Sequence, residues 1–212
     1  MCWSATADLV AGTGIAAVGV ACVARPLRAR DLPLAVLPLL LGAHQIIESV
    51  IWRSGGGGGP ATVAWAVIAL PLPALWIPLA VLCAAPPGAR RRLAVPVAAG
   101  IATSAALSYS LATRPVTADI RGHTVGYAVG LPWPEPLVAG YLLAVVGSLL
   151  LAGDRVLVLL GVLVTVGAAV CAALWSTEFV STWCAAAAVC SVVLLAWTRR
   201  RPRPGRLAER PG

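Results

Sequence analysis

Leu32–Trp52 reads LPLAVLPLLLGAHQIIESVIW. His44 and Glu48 are its only titratable side chains, and most of the rest are apolar. A helix needs roughly 20 mainly apolar residues to cross the hydrocarbon core of a bilayer, and this stretch meets that requirement. Six further segments read the same way: Ala5–Ala24, Ala61–Ala84, Leu93–Thr113, Pro136–Ala152, Arg155–Trp175 and Thr177–Trp197. The fifth span in chain order is the shortest. The third carries Pro71, Pro73 and Pro78 and is expected to kink or break there, because proline removes a ladder hydrogen bond. The expected fold class is all-α, a polytopic transmembrane bundle of seven helices over residues 1–198. Residues 199–212 read as a disordered basic tail.

Composition supports this reading. Of 212 residues, 59% are hydrophobic and 11% charged, with a mean hydropathy of +0.89. Soluble domains carry roughly a quarter charged residues, so this chain lacks the polar groups to cover a globular surface. All 16 basic residues are Arg. With no Lys, no retinal or pyridoxal Schiff base can form, which excludes a rhodopsin despite the span number. A pI near 10 suggests nucleic acid at first sight. The arginines instead stand where membrane topology needs them, so no nucleic-acid partner is expected.

Their placement sets the orientation. With the N-terminus outside, the inside segments hold Arg25, Arg28 and Arg30, then Arg90, Arg91 and Arg92, then Arg155 and every arginine beyond Trp197. The outside segments hold only Arg53, Arg114 and Arg121. The positive-inside rule favours this arrangement, with the C-terminus inside and a bacterial plasma membrane as the location. The first segment lacks a basic leader and has Asp8 near its start, so it reads as a span and not as a cleavable signal. The tail is expected to rest on anionic inner-leaflet lipids, with a dedicated partner site as the alternative. Gly55–Gly59 reads as a flexible outside linker, and Pro86-Pro87-Gly88 as an inside turn. Between spans four and five, Val116–Ile120 and Thr124–Ala128 flank Arg121-Gly122-His123. Short β-prone runs around a glycine turn predict a small extracytoplasmic β-hairpin.

The candidate functional residues cluster by depth. His44 and Glu48 are four apart and share a helix face, Trp52 continues it, and Gln45 flanks it. At roughly 1.5 Å per residue, Glu48 lies roughly 6 Å and His44 roughly 12 Å below the outer end of the span. Asp8 lies one turn into the first span, Glu178 begins the seventh, and His123 and Tyr127 belong to the hairpin. All fall in the outer half. Ionisable groups inside spans are costly and usually face the bundle or a wet cavity. Two readings stay open. One is a pocket in which Asp8, His44, Gln45, Glu48, Trp52, His123 and Tyr127 bind a small ligand or cation. In that reading His44, Glu48 and His123 are the candidate metal ligands. The other is interhelical hydrogen bonding that only specifies packing. Two His without an HExxH arrangement are weak evidence for a metal. The six cysteines, Cys2, Cys22, Cys83, Cys171, Cys184 and Cys190, show no CxxC spacing and read mainly as packing residues. Cys2 and Cys184 both lie toward the outside; they are either free thiols or a disulfide.

The opening Met1-Cys2-Trp3-Ser4-Ala5 and the second-span His44-Gln45-x-x-Glu48-x-x-x-Trp52 resemble a bacterial family of uncharacterised multi-span membrane proteins. Its pattern opens Met-Cys-Phe/Trp-Ser-Ala and carries His-Gln or Gln-Gln, then Glu, then Trp. The resemblance implies a membrane location and span number but no activity, since the family is a domain of unknown function. Because Gln can stand first in that motif, Glu48 is a stronger candidate than His44. Alkaline ceramidase-like hydrolases use three His at zinc; this chain has only His44 and His123 and departs from that pattern. Integral-membrane terpene cyclases are similarly small and use embedded acids on isoprenoids, a role that Glu48 and Glu178 would fill as catalytic groups. That likeness is one of architecture only. Three functions follow: a binding or sensing protein, a lipid- or isoprenoid-processing enzyme, and a structural or assembly component.

Overall fold

The computed structural model describes residues 4–25, 27–174 and 184–201. Helix α1 (Ala5–Val23) is capped by Ser4, whose Oγ accepts from the Ala7 N–H at 3.2 Å. A 3-10 turn (Ala29–Asp31) and α2 (Leu32–Ala35) lead into α3 (Leu37–Arg53). Next come α4 (Pro60–Ala69), α5 (Pro71–Ala84), the single turn α6 (Pro87–Arg90) and α7 (Ala94–Thr113). Strands β1 (Val116–Arg121) and β2 (Thr124–Val129) follow. Helix α8 (Pro134–Leu142) passes through a π turn (Leu143–Gly147) into α9 (Ser148–Leu150). Last are α10 (Arg155–Leu174) and α11 (Cys184–Arg200). Prolines open many of these helices. Pro33, Pro38, Pro60, Pro71, Pro87 and Pro134 lie in first turns, where a missing N–H breaks no ladder bond.

Ala5–Val23, Ala29–Arg53, Pro60–Ala84 and Ala94–Thr113 are long and apolar enough to cross a membrane. Pro134–Leu150 and Arg155–Val170 are apolar but shorter. Val10, Val20, Val95, Val166 and Val192 are each more than half exposed on helix surfaces. Such surfaces suit lipid and would be a liability in water. The structure therefore matches the expected helical membrane protein with one small antiparallel sheet. Thr177, where the seventh expected span starts, lies outside the described residues.

The third span breaks where its prolines stand. Leu70 leaves the helical region (φ −110°, ψ −81°) and separates α4 from α5. The Ala69 carbonyl would normally accept from residue 73, but Pro73 has no N–H. The Tyr141 hydroxyl, arriving from α8, donates to that carbonyl at 3.0 Å. The second span is also interrupted, which its reading as one continuous helix did not anticipate. Pro38 cannot donate to Leu34, and the chain turns at Val36 between α2 and α3. Trp76 Nε1 donates to the Pro33 carbonyl at 2.9 Å in the broken turn.

The two ends of the bundle differ in kind. At one end the arginine-bearing segments meet. Arg201 lies 3.6 Å from Asp31 and 3.6 Å from Asp154, and its guanidinium stacks over Trp197 at 4.2 Å. Trp197 Nε1 donates to Asp154 at 3.3 Å. Helix α11 runs through Arg200, and Arg201 is held against the bundle; residues 202–212 of the expected tail lie outside the described residues. An apolar core including Leu34, Leu93, Leu157 and Trp197 underlies this end.

At the other end lies the hairpin. Its register runs from Val116 opposite Val129 to Arg121 opposite Thr124. The two-residue turn puts Gly122 at φ +61°, a conformation that calls for glycine. Val116, Ala118 and Val125 are buried on Ile51, Trp65 and Ala66. The glycine run is not a free linker, contrary to the sequence reading. Gly57 and Ala118 exchange both backbone hydrogen bonds, at 2.8 and 3.1 Å. Gly56 has φ +85°, and a Cβ there would collide with the Ala118 carbonyl. Glycine is thus required for the loop to lie on β1.

Replacing Tyr141 by Phe leaves the Ala69 carbonyl without its donor. The expected loss is about 1–3 kcal/mol of stability, read from unfolding in detergent. An unchanged midpoint would show that another donor satisfies the broken turn.

Candidate functional site

The site begins with a close helix crossing. α1 and α3 run antiparallel and touch through glycines. A Cβ on Gly12 would stand 2.9 Å from the Gly42 carbonyl and from Gln45 Cβ, and one on Gly42 would stand 2.7 Å from the Ala16 nitrogen. Further along, Gly19 meets Leu39. Small residues allow this approach, and in lipid such van der Waals contact is a main source of helix association. The same register places Asp8, one turn before Gly12, level with Glu48 and Ser49. Asp8 and Glu48 are both completely buried.

α3 turns a polar arc inward. His44, Gln45, Glu48 and Ser49 are buried, whereas Val50 on the far side is exposed. Ser49 is satisfied within the helix, donating to the Ile46 carbonyl at 2.7 Å. Glu48 accepts from the Tyr127 hydroxyl at 3.1 Å. Tyr127 reaches it because side chains on β2 alternate, so Tyr127 shares the helix-facing side with buried Val125. Trp65 of α4 fixes its ring: the Trp65 and Tyr127 rings stack with centroids 3.4 Å apart and planes 8° apart. The other neighbour of Trp65 is His44, with centroids 4.9 Å apart and a 34° tilt. Thr62, one turn earlier on α4, donates to the Gly57 carbonyl at 2.8 Å and ties the glycine loop to the same corner.

The polar atoms are unevenly satisfied. Among the described residues, His44 Nε2, Gln45 Oε1, Trp52 Nε1 and Trp65 Nε1 are buried with no hydrogen-bond partner. Buried polar atoms are paired in the large majority of cases, so several orphans in one corner call for a cause.

Of the residues singled out from sequence, His44, Glu48 and Tyr127 are therefore joined, directly or through Trp65. Gln45 and Asp8 belong to the adjoining α1–α3 contact. Trp52 is half-buried on the apolar cluster beneath the hairpin. His123 is exposed at the hairpin turn and does not join buried His44 and Glu48. Among the described residues no three His, Cys, Asp or Glu side chains are grouped so as to hold a metal ion. The expected trio of His44, Glu48 and His123 is therefore not assembled. Glu178, Cys2 and the Cys184 side chain lie outside what is described. Trp65 was missed. Its signal was position, since it stands inside its span and not at an end, where an interfacial anchor belongs.

Residues 1–209 match the model of a protein family described as "Family of unknown function (DUF6629)". The chain belongs to that family. The matched range takes in the whole DUF6629 cluster just described, from Asp8 to Tyr127. No curated protein and no solved structure matches the chain. The DUF6629 assignment agrees with the resemblance to an uncharacterised membrane family and brings no activity with it.

Tyr127→Phe keeps the ring stack on Trp65 and removes one hydrogen bond from a buried carboxyl. A loss of about 1–3 kcal/mol is expected from thermal or denaturant unfolding, because a buried acceptor loses a donor. A variant as stable as wild type would show that the hydroxyl does not serve Glu48.

Proposed function

We propose that this DUF6629 protein is a seven-span protein of a bacterial plasma membrane whose outer-half polar cluster binds a small ligand or cation. The observation that carries the reading is the burial of Asp8 and Glu48 at one level of the α1–α3 crossing, beside unpaired acceptor and donor atoms. Two carboxyls at one depth in low-dielectric surroundings repel when both are charged. A proton, a cation or a hydrogen-bond-donating ligand relieves that repulsion. His44 Nε2 and Gln45 Oε1 supply further contacts to such a guest, and Tyr127 and Trp65 wall it in beneath the hairpin. Apolar partners would serve packing better than orphaned polar atoms, which cost stability when left unpaired.

The orientation proposed is N-terminus outside and C-terminus inside. It rests on the arginine distribution, which the structure gathers partly into the Arg201, Asp31 and Asp154 contacts. In this orientation the hairpin covers the cluster on the outer side. In a background without native cysteines, His123→Cys is expected to react with an impermeant thiol reagent on intact cells. Arg91→Cys, at an exposed position between α6 and α7, is expected to react only after permeabilisation. The reverse pattern would invert the topology and place the cluster at the inner face.

The ligand reading is tested by untargeted mass spectrometry and metal analysis of protein purified in mild detergent. Wild type is expected to retain a small molecule or cation that folded Glu48→Gln loses. His44→Leu separates the alternatives further. If the cluster only packs, removing an unpaired buried nitrogen is neutral or stabilising; if it binds, occupancy falls. Equally empty wild type and Glu48→Gln, with stable His44→Leu, would overturn the ligand reading. Bound substrate that Glu48→Gln retains but no longer turns over would move it to acid–base catalysis on a lipid or isoprenoid.

A further inference from the structure

The opposite end of the bundle holds a second arrangement, built from different residues. A turn at Gly153–Asp154 joins α9 to α10, with grooves on both sides. One groove, of about 550 Å³, is lined by Arg92, Gly153, Asp154 and Arg155 and by Leu150, Val158 and Leu159. The other, of about 380 Å³, lies between Asp154, Arg155, Trp197, Arg200 and Arg201. Arg155 borders both.

The charge of this corner is unbalanced by design of its contacts. Asp154 borders both grooves, but its oxygens are engaged: Oδ1 accepts from the Val156 and Leu157 N–H groups at 2.9 and 3.4 Å, capping α10. Its Oδ2 accepts from Trp197 and faces Arg201. Asp31 likewise faces Arg201 from a fully buried position. Both carboxylates are therefore committed to Arg201 and the backbone, while Arg92, Arg155 and Arg200 remain exposed. Gly153 lets Arg92 lie across the turn; it has φ +75°, and a Cβ there would stand 2.7 Å from Arg92 Nη2.

The remaining wall is apolar and open. Leu150 and Leu159 are exposed by 41% and 50% on helices with apolar surfaces. A cationic rim directly beside exposed leucines matches a molecule with an anionic head and a hydrocarbon chain. A free phosphate would use the rim and leave the leucines uncovered. Basic pockets between membrane helices commonly hold anionic headgroups, and guanidinium forks match phosphate geometry.

We propose that the groove lined by Arg92 and Arg155 binds an anionic phospholipid, its phosphate held by those two guanidinium groups and its acyl chain lying along Leu150 and Leu159. The site lies among residues remote in sequence from the Glu48 cluster and stands whether or not that cluster binds a ligand. It differs from general adhesion of a basic tail in having a defined place, between the loop before α7 and the ends of α9 and α10.

The test measures thermal unfolding of the full chain in neutral detergent with added phosphatidylglycerol, phosphatidylcholine or inorganic phosphate. Phosphatidylglycerol is expected to raise the midpoint by several degrees, and phosphatidylcholine and phosphate are not. Arg92→Gln with Arg155→Gln is expected to abolish that shift. Arg30→Gln with Arg199→Gln removes equal charge from exposed positions outside the grooves and is expected to preserve it. Equal stabilisation by both lipids, or an unaffected Arg92/Arg155 variant, would overturn the proposal. So would loss of the shift in both variants, which would mean bulk charge alone. A shift produced by phosphate alone would make this an inorganic anion site and equally refute the lipid. If the double variant fails to fold, the single Arg155→Gln, at an exposed helix start, carries the same comparison.

Discussion

The contact between α1 and α3 at Gly12 and Gly42 is the constraint on which the hairpin end depends. In lipid, apolar surface gains little by leaving its surroundings, so helices associate through close packing and hydrogen bonds. Two glycines facing one another bring the backbones together and seal Asp8, Gln45 and Glu48 away from lipid. Any side chain at either glycine would push the helices apart and open the acidic cluster to hydrocarbon. Polar burial and tight crossing are thus one feature: the carboxyls can exist at this depth only because the helices touch.

The hairpin completes what the crossing begins. β1 and β2 are too short to be stable alone, since an isolated two-stranded sheet is marginal in water. They gain support from two sides, the Gly57 bridge to Ala118 and the packing of Val116 and Val125 on Trp65 and Ile51. In return the hairpin delivers Tyr127 to Glu48. At the opposite end, Arg201 performs a related task with charge. It links Asp31, Asp154 and Trp197, so that the first loop, the α9–α10 turn and α11 are held at one point. The broken second and third spans between these ends are repaired by donors from neighbouring helices, Trp76 to Pro33 and Tyr141 to Ala69.

Much of this was legible in the residues. Hydropathy marked the helices, the prolines marked the third-span break, and the β-prone runs around Gly122 marked the hairpin with nearly correct bounds. The i,i+4 spacing of His44 and Glu48 identified the inward face of α3. The reading went astray where lateral neighbours decide. Trp52, one turn beyond Glu48, packs on the Ile51 and Trp65 cluster beneath the hairpin, a neighbour that the sequence does not show. Trp65, Gly12 and Gly42 carry no signal of which helix they will meet. His123 shares the hairpin with Tyr127, yet the turn exposes one while strand alternation turns the other, half-buried, toward Glu48. Five consecutive glycines looked like a free linker because the sequence does not show that Gly57 pairs with Ala118. Nothing in the sequence joins Asp31 and Asp154 to Arg201, because their partner lies far away in the chain.

The most direct test of the central claim is an experimental density map of the protein purified in lipid nanodiscs without added ligand. The account predicts non-protein density larger than a water, within hydrogen-bonding distance of His44 Nε2 or Gln45 Oε1 and close to Glu48. A corner closed by protein atoms and water alone, with the α1–α3 contact intact, would contradict it and leave the cluster as a device for packing.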